Sequence, residues 1–181
     1  MNRYGTLSDD ERVKLINLEL SITEQAINIA PAVTEIVKKY DGKHLNKRLE
    51  TALKKIDKRL YVHNEWNSFD IKFVEHDKRS IQTSNHTEYV EHNDVYIAST
   101  CKQSAYSDSS LTDDDRIIAD TVISSIDRNV KQKQDHIKEV REQINFIEDY
   151  RQDKKTILEA IENHNKINYT VRRYFDLTIE R

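Results

Sequence analysis

The longest regular pattern of apolar residues lies in the C-terminal half of the chain, where residues 112–168 contain no glycine or proline. Apolar side chains recur there at alternating spacings of three and four, which places them on one face of a helix. They are Ala119, Ile123, Ile126, Val130, Ile137, Val140, Ile144 and Ile147, interrupted by Lys133. The pattern predicts one long helix or a helical hairpin over residues 112–168, with a narrow apolar stripe that another surface must cover.

The first 58 residues also show a helical period. Ser8 is followed three residues later by Glu11, the sequence of a capping box, so we expect a helix to begin near Asp9. Because proline fits the first turn of a helix, we expect Pro31 to open a second helix, which Gly42 ends. A third helix is predicted over residues 43–58. Residues 8–58 are therefore predicted to form a helical N-terminal part.

The period changes from helical to alternating after residue 58. With a turn at Asn67-Ser68, a hairpin over residues 59–76 pairs His63 with Lys72. Its apolar face carries Val62, Trp66, Phe69, Ile71 and Phe73, and its polar face carries His63, Glu65, Asp70 and Lys72. Further strands are expected to about residue 100, with 87–92 and 95–100 forming a second hairpin, so that residues 59–101 form the sheet part.

The end of the chain alternates in the same way. Residues 169–179 are rich in β-branched and aromatic side chains, which predicts a C-terminal strand within the segment 169–181. Together these elements predict an α+β fold: N-terminal helices and a small antiparallel sheet packed with a long C-terminal helix or helical hairpin (112–168). We expect residues 1–181 to form a single composite domain.

Composition excludes several classes of protein. The net charge of -3 provides no global basic field for nucleic acid, and two distant glycines exclude a glycine-rich phosphate loop. The single Cys101 excludes an internal disulfide and a cysteine-cluster zinc site, and it suits a reducing compartment. No apolar run is long enough to span a membrane. We therefore expect a cytoplasmic protein, of a bacterial or host cell, without a cofactor and without a membrane partner.

The polar face of the first hairpin is the strongest candidate for enzymatic chemistry. Glu65, Asp70 and Lys72 have the residue types of a divalent-metal-dependent nuclease, in which carboxylates hold the metal and a lysine stabilises charge. His63, Glu65 and Asp70 are the corresponding candidate metal ligands. Charged cross-strand pairs on the solvent side of a sheet are, however, ordinary, and this structural interpretation is favoured.

Two further clusters are candidates for binding. The most basic face of the chain lies in the third predicted helix and carries Lys54, Lys55 and Lys58. Such a face is typical of a DNA-binding regulator. Asp113, Asp114 and Asp115 follow a capping residue and would present negative charge to a basic partner, although helix capping alone explains them.

The leading hypothesis is a non-enzymatic protein–protein interaction protein. Its apolar stripe would be covered by the N-terminal helices or by a second copy of the chain, which would make a homodimer through the long helix. Small, charged, glycine-poor proteins are frequent among phage and mobile-element products that inhibit host machinery such as defence nucleases, and we expect a function of that kind. The metal-dependent nuclease and the DNA-binding regulator remain the alternatives.

Overall fold

The structure is a computed structural model, which describes residues 6–41, 46–64, 68–77, 79–83, 86–90, 94–101, 118–149 and 168–175. Its helices are α1 (Asp9–Lys39), α2 (Asn46–Lys54), α3 (Ala119–Asp149) and α4 (Tyr169–Phe175). Its strands are β1 (Leu60–Asn64), β2 (Ser68–Val74), β3 (Ser80–Gln82), β4 (Thr87–Tyr89) and β5 (Asp94–Cys101). The predicted α+β fold is confirmed.

The chain divides into two compact units. The sheet unit comprises Ser21–Lys78 and His92–Lys133, and the terminal unit comprises Met1–Leu20, Arg79–Glu91 and Gln134–Arg181. Both α1 and α3 contribute residues to each unit. A single composite domain stays a prediction.

The sheet unit is built on an antiparallel sheet of order β1-β2-β5. Alternate residues of its strands are buried on one face: Leu60, Phe69, Ile71 and Phe73 are fully inaccessible to solvent. Full burial of each such side chain stabilises the fold by roughly 1.5–3 kcal/mol. A bulge lies between Ile71 and Lys72, where Ile97 of β5 has no partner on β2, and both Ile97 and Ala98 are buried there.

The first hairpin is confirmed, but its register differs from the predicted one. His63 lies opposite Asp70, and Val62 lies opposite Ile71, so each residue of β1 pairs two positions earlier on β2 than expected. The predicted two-residue turn is therefore wrong, because the connection between the last paired residues, Asn64 and Phe69, is longer. A shift of two residues preserves the faces of a strand, so the separation of apolar from polar side chains holds.

The predicted second hairpin is also wrong. Strand β5 pairs with β2, and β4 pairs instead with β3 in a separate two-stranded sheet. Because β5 buries Val95, Ile97 and Ala98, it gains more apolar contact beside β2 than a small hairpin with β4 would provide.

Helix α1 is continuous through Pro31, so the predicted start of a second helix there is wrong. The proline lies on the exposed side of the helix, where water can satisfy the carbonyl that loses its amide donor. On the opposite side, Ala26, Ala30, Val33 and Val37 are buried at helical spacing. Buried residues before and after position 31 in the sequence therefore hold the helix together despite the proline.

Helix α2 ends at Lys54, four residues before the end of the predicted helix over residues 43–58, and residues 43–45 lie outside the described residues. Its apolar side, with Leu49 and Leu53, is fully buried as expected. The chain leaves the helix after Lys54, and Asp57 then accepts hydrogen bonds from the amide and side chain of Arg59. This local bonding competes with helix continuation at the C-terminal end.

The first part of helix α3, as far as Lys133, packs along the edge of the three-stranded sheet. At its beginning, Asp41 Oδ1 accepts a hydrogen bond from the amide of Ala119 at 3.0 Å. Farther along, Ser125 and Asn129 bond the backbone of β5, the outer strand of the sheet. The stripe predicted for this helix is buried at Ala119, Ile126, Ile137, Val140 and Ile144. Residues 112–117 and 150–167 of the predicted helical segment lie outside the described residues.

In the terminal unit, α1 begins with the predicted capping box. The amide of Ser8 donates to Glu11 Oε2 at 2.8 Å, and the amide of Glu11 donates to Ser8 Oγ at 3.3 Å. This reciprocal bonding satisfies two amides that the helix leaves unpaired.

The predicted C-terminal strand is wrong over residues 169–175, which form helix α4. Thr170, Val171 and Tyr174 are buried together, at a spacing that a helix brings to one face and a strand does not. Asn168 caps this helix by accepting a hydrogen bond from the amide of Thr170 at 2.9 Å. Capping and helical burial therefore outweigh the β propensity of the segment. Residues 176–179 of the predicted strand lie outside the described residues.

Candidate functional site

The outer face of the three-stranded sheet carries a row of aromatic and cationic side chains. The register places Tyr61 of β1 opposite Lys72 of β2, and Lys72 opposite Tyr96 of β5. Because neighbouring strands lie about 4.8 Å apart, the two tyrosines are separated by about 10 Å, with the lysine between them. Tyr61 is 42% exposed and Tyr96 is 41% exposed. Both rings are therefore accessible to a partner.

Lysine side chains lie against both rings. Lys72 Nζ is 4.6 Å from the centre of the Tyr96 ring, and Lys54 Nζ is 5.8 Å from the centre of the Tyr61 ring. These distances allow cation–π attraction. Burial acts to lower the pKa of Lys72, but its hydrogen bond with Tyr96 and nearby negative charges outweigh burial, so the pKa is raised. The Lys72 ammonium group is therefore charged at neutral pH.

A third lysine lies beside Tyr96. Lys133 of α3 lines a small cleft with Tyr96 and the apolar side chains Ala26, Ile27, Ile97 and Val130. Burial lowers the pKa of Lys133, and no carboxylate among the described residues pairs with it. This is the residue that interrupts the apolar stripe of α3. We call Lys54, Tyr61, Lys72, Tyr96 and Lys133 the lysine–tyrosine row.

A groove of about 400 Å³ contains part of this row. Basic and aromatic side chains predominate in its lining, which is formed by Lys54, Lys58, Arg59, Leu60, Tyr61, His63, Lys72, Val74, His76 and Asp94. The sequence assigned Lys54 and Lys58 to a basic helix and His63 and Lys72 to the polar face of a hairpin. Tertiary structure joins these two candidate sites in one surface.

Arg59 has a structural role at the floor of this groove. Its guanidinium group pairs with Asp57 at 2.8 Å and with Glu75 at 3.2 Å, and it donates to Gln25 at 2.9 Å. The side-chain hydrogen bond from Arg59 lowers the pKa of Asp57, and the same bond raises the pKa of Arg59. Lys58, by contrast, is exposed and forms no ion pair within the described part of the chain. Of these two cations, only Lys58 is available to a ligand.

Of the candidate nuclease residues, Asp70 and Lys72 lie in the described part of the chain, and the Asp70 carboxylate is buried. Asp70 is only 4% exposed, and its Oδ2 atom lies 3.5 Å from His63 Nδ1 and 3.4 Å from Ser68 Oγ. Glu65 lies outside the described residues. Within the described ranges, no three His, Cys, Asp or Glu side chains are grouped as metal ligands. A buried carboxylate offers little access to a hydrated metal ion.

Of the other predicted binding residues, Lys55 is exposed but does not line the groove. Asp113, Asp114 and Asp115 lie outside the described residues. Sequence reasoning did not single out Tyr61 and Tyr96. A signal was available, because each tyrosine is flanked by apolar residues in an alternating strand and so belongs on the polar face of the sheet.

No family model, curated protein or solved structure matches this chain. None of the helices in the described ranges is both long enough and apolar enough to cross a membrane.

Proposed function

We propose that this chain is a non-enzymatic binding protein, and that its lysine–tyrosine row binds an anionic partner. One observation carries the proposal: Lys72, charged and in contact with the Tyr96 ring, lies between two tyrosines that are each more than 40% exposed. Tyrosine is among the side chains that contribute most to binding at interfaces, and the lysines supply the positive charge that attracts an anion.

The surface supports binding better than it supports metal-dependent hydrolysis. A nuclease of the predicted kind needs Asp70 to reach a metal ion, and this side chain is almost wholly buried. Lys72 instead points its charge toward an exposed aromatic ring. The hairpin's polar face is thus better suited to hold charge than to activate water.

The basic-helix hypothesis is altered by the same geometry. Helix α2 has nine residues, a length of about 14 Å, and its last residue, Lys54, lies over a ring of the neighbouring strand. Lys54 and Lys58 therefore act with the sheet, and a recognition helix inserted alone into duplex DNA is less well supported.

A homodimer through α3 stays a prediction from the sequence. The stripe residues Ile126 and Val140 are at most 1% exposed within one chain, so a second copy is not needed to cover them. A partner from host machinery, such as a defence nuclease, stays a prediction from the sequence.

The proposal is tested by retention on a heparin column, which presents a generic anionic surface. We expect Lys72→Ala and Lys133→Ala to elute at lower salt than the unmodified protein, because each removes one cation from the row. Lys138→Ala is the matched control, since this α3 lysine has a side chain 77% exposed and lies outside the row. Equal elution of all four proteins would contradict the proposal.

A further inference from the structure

We infer that the anionic partner is a single-stranded nucleic acid, whose bases stack on Tyr61 and Tyr96 and whose phosphates contact Lys54, Lys72 and Lys133. The inference rests on the proposed function and names the ligand of that surface. It adds a chemical reason for the aromatic residues, which a purely electrostatic site does not require.

The order of side chains across the sheet matches a strand of nucleotides. Cation and ring alternate from Lys54 through Tyr61, Lys72 and Tyr96 to Lys133. A single strand presents the same two kinds of group, charged phosphates and flat base faces. Sheet surfaces with exposed aromatic rings are a recurrent platform for unpaired bases.

The exposed rings distinguish this ligand from two others. In a duplex the faces of the bases are already stacked on each other, so Tyr61 and Tyr96 could reach only the backbone. An acidic peptide would use the lysines but would offer no flat ring to either tyrosine. Unpaired bases are the ligand that uses both features of the row.

The existing ion pair in the row does not prevent phosphate binding. Lys54 pairs with Glu50 one helical turn earlier, and the Lys54 side chain is 44% exposed. An exposed pair at this spacing contributes only about 0.3–0.5 kcal/mol, so exchange of the carboxylate for a phosphate costs little. Lys133 has no carboxylate partner among the described residues, and a phosphate would supply an anionic partner.

The test uses fluorescence anisotropy of labelled oligothymidine of about 12 nucleotides, within the usual range for such surfaces. We expect the double variant Tyr61→Ala, Tyr96→Ala to weaken binding by about tenfold or more, since one lost base stack alone costs roughly 5- to 150-fold. Tyr89→Ala is the matched control, because this tyrosine of β4 is also 42% exposed but lies outside the row. The double variant Tyr61→Phe, Tyr96→Phe keeps both rings and should retain binding.

The salt dependence provides a second measurement. Three phosphate contacts to a single strand predict a slope of about -2 in a plot of log affinity against log salt, at about 0.7 per contact. Lys72→Ala should reduce the magnitude of that slope by about 0.7. Circular dichroism of each variant establishes that it is folded.

The binding measurements distinguish whether the ligand is a single-stranded nucleic acid. Binding of oligothymidine that depends on the two rings supports the inference. Equal affinity for a duplex of the same length, or full affinity in the folded double alanine variant, overturns it. Binding of polyglutamate but not oligothymidine overturns the inference and leaves the proposed function standing, whereas binding of neither polyanion contradicts both.

Discussion

Ser125 of α3 forms two hydrogen bonds with the backbone of Ser99 on β5. The Ser99 amide donates to Ser125 Oγ at 3.0 Å, and the Ser125 hydroxyl donates to the Ser99 carbonyl at 2.8 Å. Strand β5 is at one edge of the sheet, and no strand in the described part of the chain lies on the side that these two groups face. One helical side chain therefore closes an edge at which another chain could add a strand.

We expect Ser125→Ala to destabilise the protein by about 1–3 kcal/mol, because it leaves two backbone groups beside a buried helix face without their partner. Urea denaturation followed by circular dichroism measures the change. Ser124→Ala is the matched control, since Ser124 is the exposed neighbour in the same helix. A loss in Ser125→Ala no larger than in Ser124→Ala would show that these bonds do not stabilise the edge.

Pro31→Ala should stabilise the protein by about 1–2 kcal/mol. Proline inside a helix costs about 3 kcal/mol, part of which is offset because proline also restricts the unfolded chain. Alanine would restore the amide that can donate to the carbonyl of Ile27, and the side chain at position 31 is exposed. The thermal midpoint gives the result, and a lower midpoint than that of the unmodified protein would mean that the helix requires the proline.

The Asp57–Arg59 pair predicts a dependence of stability on pH. Arg59 lowers the pKa of Asp57, so the stabilisation is present above the unfolded value of about 3.9 and is lost as the pH falls through the lower folded value. We expect Asp57→Asn to cost about 1–2 kcal/mol at pH 7 and progressively less below about pH 4. Urea denaturation across this pH range measures the difference.

Asp77→Asn is the control for the pH experiment, because Asp77 is an exposed aspartate. It should show little change at any pH. A constant difference between Asp57→Asn and the unmodified protein down to low pH would contradict an electrostatic contribution from this pair.

Asn168→Ala should destabilise helix α4. The Asn168 side chain accepts from the amide of Thr170 and donates to Glu139 at 2.7 Å and to His136 at 3.1 Å. Loss of such a cap costs about 0.5–2 kcal/mol. Amide hydrogen exchange in residues 170–174 should accelerate, while the exposed control Asn145→Ala leaves it unchanged. Unchanged exchange in Asn168→Ala would show that burial alone holds the helix.

Features that depend on neighbouring residues could be predicted from the amino-acid sequence. The capping box at Ser8, the apolar side of α3 and the two faces of the first hairpin were predicted correctly. In each case the controlling contacts join residues a few positions apart, or follow from the period of one element. Even the two-residue error in the register of the hairpin left its faces intact, because side chains alternate with period two.

The other features could not be predicted in this way, because they depend on what each element packs against. β5 pairs with β2 because that position buries its apolar residues, and residues 169–175 form a helix because burial of Val171 and Tyr174 and the Asn168 cap outweigh strand propensity. The candidate site has the same origin. Lys54, Lys72 and Lys133 come from α2, β2 and α3, and no local pattern brings residues so far apart in sequence to one row.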